Sequence, residues 1–222
     1  RRGVRAWEGG LTAATLVVYP TALKAAAALR DEARRLGPVV GRRVTTFPQL
    51  TDALARDLGA PSRVLDPAMA AVVLRRALES TPLPKALAVP RRGLVHELLA
   101  TIAGLKAAYL SPDDVAAIAA TATGTAKAAL AGIDRLYAGY EAILRRLGAV
   151  DRHGREWAVC EGLAAAATAG TCPRSLAGVT RIVFAEIYDF SVLQFLIATS
   201  LIAIVGDAEI VAFAHGENVD AT

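Results

Sequence analysis

Two short β-type runs that each turn straight into a helix constrain this chain more than any other feature. Leu16–Tyr19 is apolar and rich in valine; Pro20 and Thr21 break it, and Ala22–Leu36 follows with a helical composition that stops at Gly37 and Pro38. Arg43–Thr46 repeats the arrangement, with Val44, Thr45 and Thr46 favouring a strand and Phe47 and Pro48 opening a helix to about Leu58. Strands alternating with helices predict a parallel sheet, because parallel neighbours need a crossover between them.

From Asp66 the pattern is helical only. Asp66 caps a helix with Pro67 at its first position, and Ala70, Val73, Leu74, Ala77 and Leu78 mark one face up to Ser80. Thr81–Pro90 holds three prolines and reads as a loop. Helices are predicted at about Leu94–Tyr109, at Ser111–Ala120 behind a Ser111/Asp114 capping box, at Thr125–Leu147 and at Glu156–Ala169. The β signal returns at Arg181–Ala185, followed by a helix over Ser191–Ser200 and a buried strand at Leu201–Val205 ending in Gly206 and Asp207. The expected organisation is α/β: a sheet domain from residues 11–65 and 179–222, interrupted by an all-helical insert at 66–178.

At 222 residues the chain buries a sizeable core without disulfides. Cys160 and Cys172 fall outside any CxxC or Cys/His spacing, so reduced thiols are expected and a zinc site is not. The formal charge of +4 permits a polyanionic partner without demanding one. Val192–Val205, the most apolar stretch, contains Gln194, Thr199 and Ser200 and is short for a membrane span. Arg1–Gly10 lacks the apolar run of a signal peptide, and the chain does not open on methionine. These features lead to the expectation of a piece of a longer cytoplasmic protein with no membrane partner.

Ligands of open parallel sheets bind beyond the carboxyl ends of the strands. The segments to inspect are therefore Pro20–Lys24, Thr46–Gln49, Glu186–Asp189 and Gly206–Glu209. Glu186 and Asp189 can hold a hydrated magnesium ion or orient a water beside a nucleotide; alternatively, Asp189 caps the next helix. Gly206 and Asp207 are either a turn or a phosphate-sensing loop. The pairs Arg75/Arg76, Arg91/Arg92 and Arg145/Arg146 read as solvated faces or as a DNA-facing ridge. His96, His153 and His215 are scattered and support no hydrolase triad.

Ile182–Phe195, reading IVFAEIYDFSVLQF, resembles the VDEAQD segment of UvrD/RecB-type superfamily 1 helicases, and Ile204–Gly216, IVGDAEIVAFAHG, is similar to the VGDxxQxIYxFRG motif that follows it. VVYPTALKAAAALR, Val17–Arg30, resembles the second motif of that family, which contacts single-stranded DNA, and VTTFPQL, Val44–Leu50, resembles its TfhsL motif. Ile102–Asp114 and Ile133–Asp151 look like its helical subdomain, with the pattern Y..YE..L...g.vD. The resemblance spans Leu16–Gly216 in the family's order. It implies a RecA-like sheet, phosphate contact by Thr21 and Lys24, and a single-strand path lined by Thr45, Thr46 and Phe47.

The departures change the implied activity. No GxxxxGK[ST] phosphate loop precedes Leu16, Ala185 stands where the family's magnesium aspartate is expected, and Tyr188 and Ile210 replace its glutamines. Glu186, the water-orienting acid, is retained, so the resemblance makes Glu186, Asp189, Gly206 and Asp207 the remnant of a nucleotide site. The expectation is an ATPase-inactive, helicase-like DNA-binding domain of a DNA repair or processing protein, as in AddB-type subunits of helicase-nuclease complexes. ATP and magnesium enter only if a phosphate loop lies upstream of Arg1. Single-stranded DNA, another subunit or a second copy are the expected partners; an open sheet edge and exposed Leu193 and Phe195 argue for association. The alternatives are a fragment of an active helicase and a structural protein-interaction module.

Overall fold

The computed structural model describes residues 15–37, 44–81, 83–84, 93–187 and 189–211. It divides into two compact units: 1–57, 163–190 and 198–222 form one, and 58–162 with 191–197 form the other. No helix among the described residues is long and apolar enough to cross a membrane.

The first unit is built on a four-stranded, all-parallel sheet with helices between its strands. β1 (Thr15–Tyr19) leads into α1 (Ala22–Leu36), then β2 (Val44–Thr46) into α2 (Phe47–Asp57). The sheet order is β2-β1-β5-β6, with β5 at Arg181–Ala185 and β6 at Ala208–Val211. Register sets Tyr19 beside Thr46, Val18 beside Phe184 and Ala185 beside Val211, so the carboxyl ends of all four strands share one edge. Both faces of such a sheet are covered, which is why Leu16, Val17, Val18, Ile182, Val183 and Phe184 are buried without alternation.

The second unit starts at β3 (Arg63–Val64) and α3 (Pro67–Ser80), continues through α4 (Leu94–Ala107), α5 (Pro112–Thr121) and α6 (Gly124–Arg146), and reaches β4 (Ala149–Val150). α7 (Arg152–Thr168) begins in this unit and ends in the other. The caps read from the sequence are present: Met69 N donates to Asp66 Oδ1 at 2.8 Å, and Ser111 and Asp114 cap reciprocally. Val73, Leu74, Leu98, Ile102, Val115, Leu136, Tyr137, Tyr140 and Leu144 form its core.

Four expectations are corrected. The stretch 66–178 is not all-helical, because β4 pairs in parallel with β3. The same pairing draws residues 58–65 into the second unit, while the donation of Ser175 N to Asp57 Oδ2 at 2.5 Å ties the chain after α7 to the sheet unit. Leu201–Val205 is no strand: it completes α8 (Val192–Val205), and the last strand is β6, beginning after Asp207. Leu193 is fully buried, whereas Phe195 is 54% exposed.

Candidate functional site

The edge formed by the carboxyl ends of the strands gathers most of the residues singled out above. Thr21, in extended backbone after β1, caps α1 by accepting the Lys24 amide at Oγ1 over 3.3 Å. The first turn of α1 carries no acid, so none of its own side chains offsets the positive end of the helix dipole. The Lys24 ammonium reaches across to Glu186, the residue after β5, and pairs with its Oε2. Glu186 adopts a left-handed backbone, φ 58°, and donates its amide to the Val211 carbonyl at 2.9 Å. That turn redirects the chain at the end of β5.

Tyr19 closes β1 at the same edge. Burial, and then the negative charges of Glu186 and Glu32, push its phenol above the usual range. Glu32 is a buried carboxylate on α1, only 2% exposed. The local field is therefore mixed, with Lys24 as the cation that the structure turns toward this rim.

At the end of β2 the hydroxyls serve the chain itself. Gln49 N donates to Thr46 Oγ1 at 3.3 Å and Thr46 N to Gln49 Oε1 at 3.2 Å, a reciprocal cap on α2. Thr45 Oγ1 lies 3.4 Å from both Gln49 Oε1 and the Thr46 carbonyl. Thr45 and Thr46 are buried, and Phe47, 5% exposed, packs edge-on against Phe190, which in turn packs against Phe184. Phe47 is thus a core anchor with no face open to a base. Gln49 closes one of the segments expected to carry function, whereas nothing in the sequence pointed to a role for Phe190 at this end of the sheet. Gln49 three residues after Thr46 was the available signal for the cap.

Two remaining expectations move. Gly206 and Asp207 precede β6, so they sit at the amino-terminal edge of the sheet, roughly 16 Å along the strands from Glu186 at about 3.3 Å per residue. There the Asp207 carbonyl accepts from Ile182 N at 3.0 Å, and Arg181 pairs with both Asp207 and Glu209. The turn reading of Gly206 is the one the structure supports, with φ at 87°. Asp189 is exposed, and Ser191 instead caps α8, its Oγ accepting the Gln194 amide at 3.2 Å. Tyr188 and the segment before Thr15 lie outside the described residues.

The second unit holds a polar cluster that the sequence did not reveal. Lys106, only 2% exposed, lies 2.5 Å from Glu141 Oε1 and 2.7 Å from Asp151 Oδ2, with its ammonium over the rings of Tyr137 and Tyr140. Tyr140 Oη donates to Asp151 Oδ2 at 3.0 Å, and Gly154 N to Asp151 Oδ1 at 2.7 Å. The tyrosines, glutamate and aspartate of the Y..YE…D pattern therefore converge on one lysine. Lys106, Tyr137 and Glu141 border a cleft of about 350 Å³ that Arg145, Trp157 and Glu161 also line. One ammonium holds two carboxylates from separate parts of the chain, so the Lys106 cluster acts as a clamp between α4, α6 and the start of α7.

The residues at the sheet edge do not fit a magnesium nucleotide. β5 ends in Ala185, whose methyl cannot coordinate, the Glu186 carboxylate is engaged by Lys24, and no GxxxxGK[ST] run occurs in the sequence. No protein-family model matches this chain, and comparison with curated proteins finds no match either.

Proposed function

We propose that this chain is a helicase-like DNA-binding domain of a DNA-processing protein, a RecA-like sheet that contacts single-stranded nucleic acid without turning over ATP. The observation that carries this reading is the common edge of β1, β2 and β5. It sets the exposed Thr21 and partly exposed Lys24 beside Glu186, in the order the helicase resemblance requires. A helix start with no acid in its first turn and a lysine bind phosphate oxygens through amide donors and charge. Thr45, Thr46 and Phe47 contribute by fixing the start of α2 beside that path rather than by touching the strand.

The test is anisotropy of a labelled oligothymidine titrated with the protein at increasing sodium chloride. Binding at low salt that weakens linearly in log–log form supports the reading, and so does loss of affinity in Lys24→Gln. Absence of binding at low salt overturns it. ATP hydrolysis stimulated by the oligonucleotide would overturn the inactive assignment alone.

A second reading, a protein-interaction module, draws on Leu23 and Ile210. They are 74% and 55% exposed, at the start of α1 and on β6. Salt-independent capture of a partner chain, with no DNA affinity, would favour it.

A further inference from the structure

The rim carries a contradiction for a phosphate-binding edge: its turned-in lysine is already held by an acid. Lys24 and Glu186 pair across from the first turn of α1 to the end of β5, with side chains 40% and 24% exposed. The pairing is also held at some backbone expense. Glu186 is one of two non-glycine residues with positive φ among the described residues, a conformation that persists where its surroundings enforce it. Here the Glu186 amide is fixed by the Val211 carbonyl, so the carboxylate is presented to Lys24 by the sheet itself.

We propose that Glu186 is an intramolecular substitute for a phosphate: it occupies Lys24 in the free protein, and the backbone of a single strand displaces it on binding. This inference rests on the proposed nucleic-acid reading and specifies how that edge is regulated. The geometry makes the exchange feasible. With its ammonium partly exposed, the pair is screened by salt, whereas a nucleic-acid strand offers successive phosphates and releases counterions as it binds. Glu186 therefore acts as a threshold, excluding isolated weak anions while admitting a polyanion. Tyr19, whose phenol is pushed up by burial and then by the charges of Glu186 and Glu32, stays neutral beside Glu186.

The experiment is oligothymidine binding at low salt by four proteins: wild type, Glu186→Gln, Lys24→Gln and the double variant. Glu186→Gln is expected to bind about three- to fivefold more tightly than wild type, with the gain falling below about twofold when Lys24 is already glutamine. Glu186→Asp, one methylene shorter, gives a smaller gain in the same direction and serves if the glutamine variant does not fold. Wild-type binding with no gain in either variant overturns the substitution mechanism and leaves the DNA-binding reading intact. An equal gain in the Lys24→Gln background also overturns it, since any lost negative charge would do the same. If no protein binds, both the mechanism and the reading beneath it fail.

Discussion

The Glu186 amide donates to the Val211 carbonyl at 2.9 Å while Glu186 itself holds φ at 58°. Left-handed backbone disfavours any side chain with a Cβ, so glycine is the better residue there once the Lys24 pair is removed. Glu186→Gly is expected to be about 1 kcal/mol more stable than Glu186→Ala, because both delete the carboxylate and only alanine keeps the strain. Urea denaturation of the two variants measures the difference. Equal stabilities would show that the turn relaxes.

Asp207 and Glu186 stand at opposite edges of the sheet, since Arg181 pairs with Asp207 where β5 begins and Glu186 follows where it ends. Asp207→Asn should change oligothymidine affinity by less than about twofold. Lys24→Gln should reduce the log–log salt slope by roughly 0.7, the single-strand value for one phosphate contact. Salt titrations of both variants decide this. A larger effect from Asp207 would relocate the binding edge.

Lys106 is the most consequential buried charge in the second unit. Lys106→Met leaves the Glu141 and Asp151 carboxylates without their cation and is expected to cost about 3–5 kcal/mol. Tyr140→Phe removes one hydrogen bond to a charged acceptor and should cost about 1.5–3 kcal/mol. Guanidinium unfolding checks both, and a neutral Lys106→Met would show that the acids simply turn to solvent.

The same cluster makes stability depend on alkaline pH. Burial, and then the charges of Glu141 and Asp151, raise the Tyr137 phenol far above its usual range; burial and the adjacent, hydrogen-bonded Asp151 do the same for Tyr140. A raised tyrosine pKa means that the native state keeps protons that the unfolded chain releases above about pH 10. The stabilisation is fully present below that pH and declines as pH rises through and beyond it. Thermal melts between pH 8 and 11 should show a steeper loss for wild type than for Tyr137→Phe/Tyr140→Phe, judged by relative change. Parallel curves would contradict the assignment.

The parts of the fold legible in the sequence were those with local chemistry. Pro20–Thr21 after valines, Asp66 before Pro67 and Ser111 with Asp114 each specify a boundary through a defined backbone hydrogen bond or a fixed φ, and each element begins there. Val192–Val205 is apolar on all sides, so periodicity could not separate helix from strand; its length and the absence of glycine or proline before Gly206 favoured the helix that forms. That single shift moved Gly206 and Asp207 to the far edge. β3 and β4 contribute two residues each and leave no pattern to read.

At the candidate site, sequence placed Lys24 and Glu186 on one edge but could not show that they pair, since that depends on the left-handed turn after Ala185. Phe47 had two readings, and its contact with Phe190 selects the core. Lys106 lies within a helix, where a lysine ordinarily points to solvent, and its partners Glu141 and Asp151 come from distant parts of the chain.

Ultraviolet crosslinking of the protein to oligothymidine, with peptide mapping by mass spectrometry, tests most directly where a single strand lies. Crosslinks in the peptides carrying Tyr19–Lys24 and Glu186–Phe190, lost on adding salt, are the predicted result. Crosslinks confined to Arg181 and Asp207–Glu209 or to the helical unit, or none at all, would contradict a nucleic-acid site at the carboxyl ends of the strands.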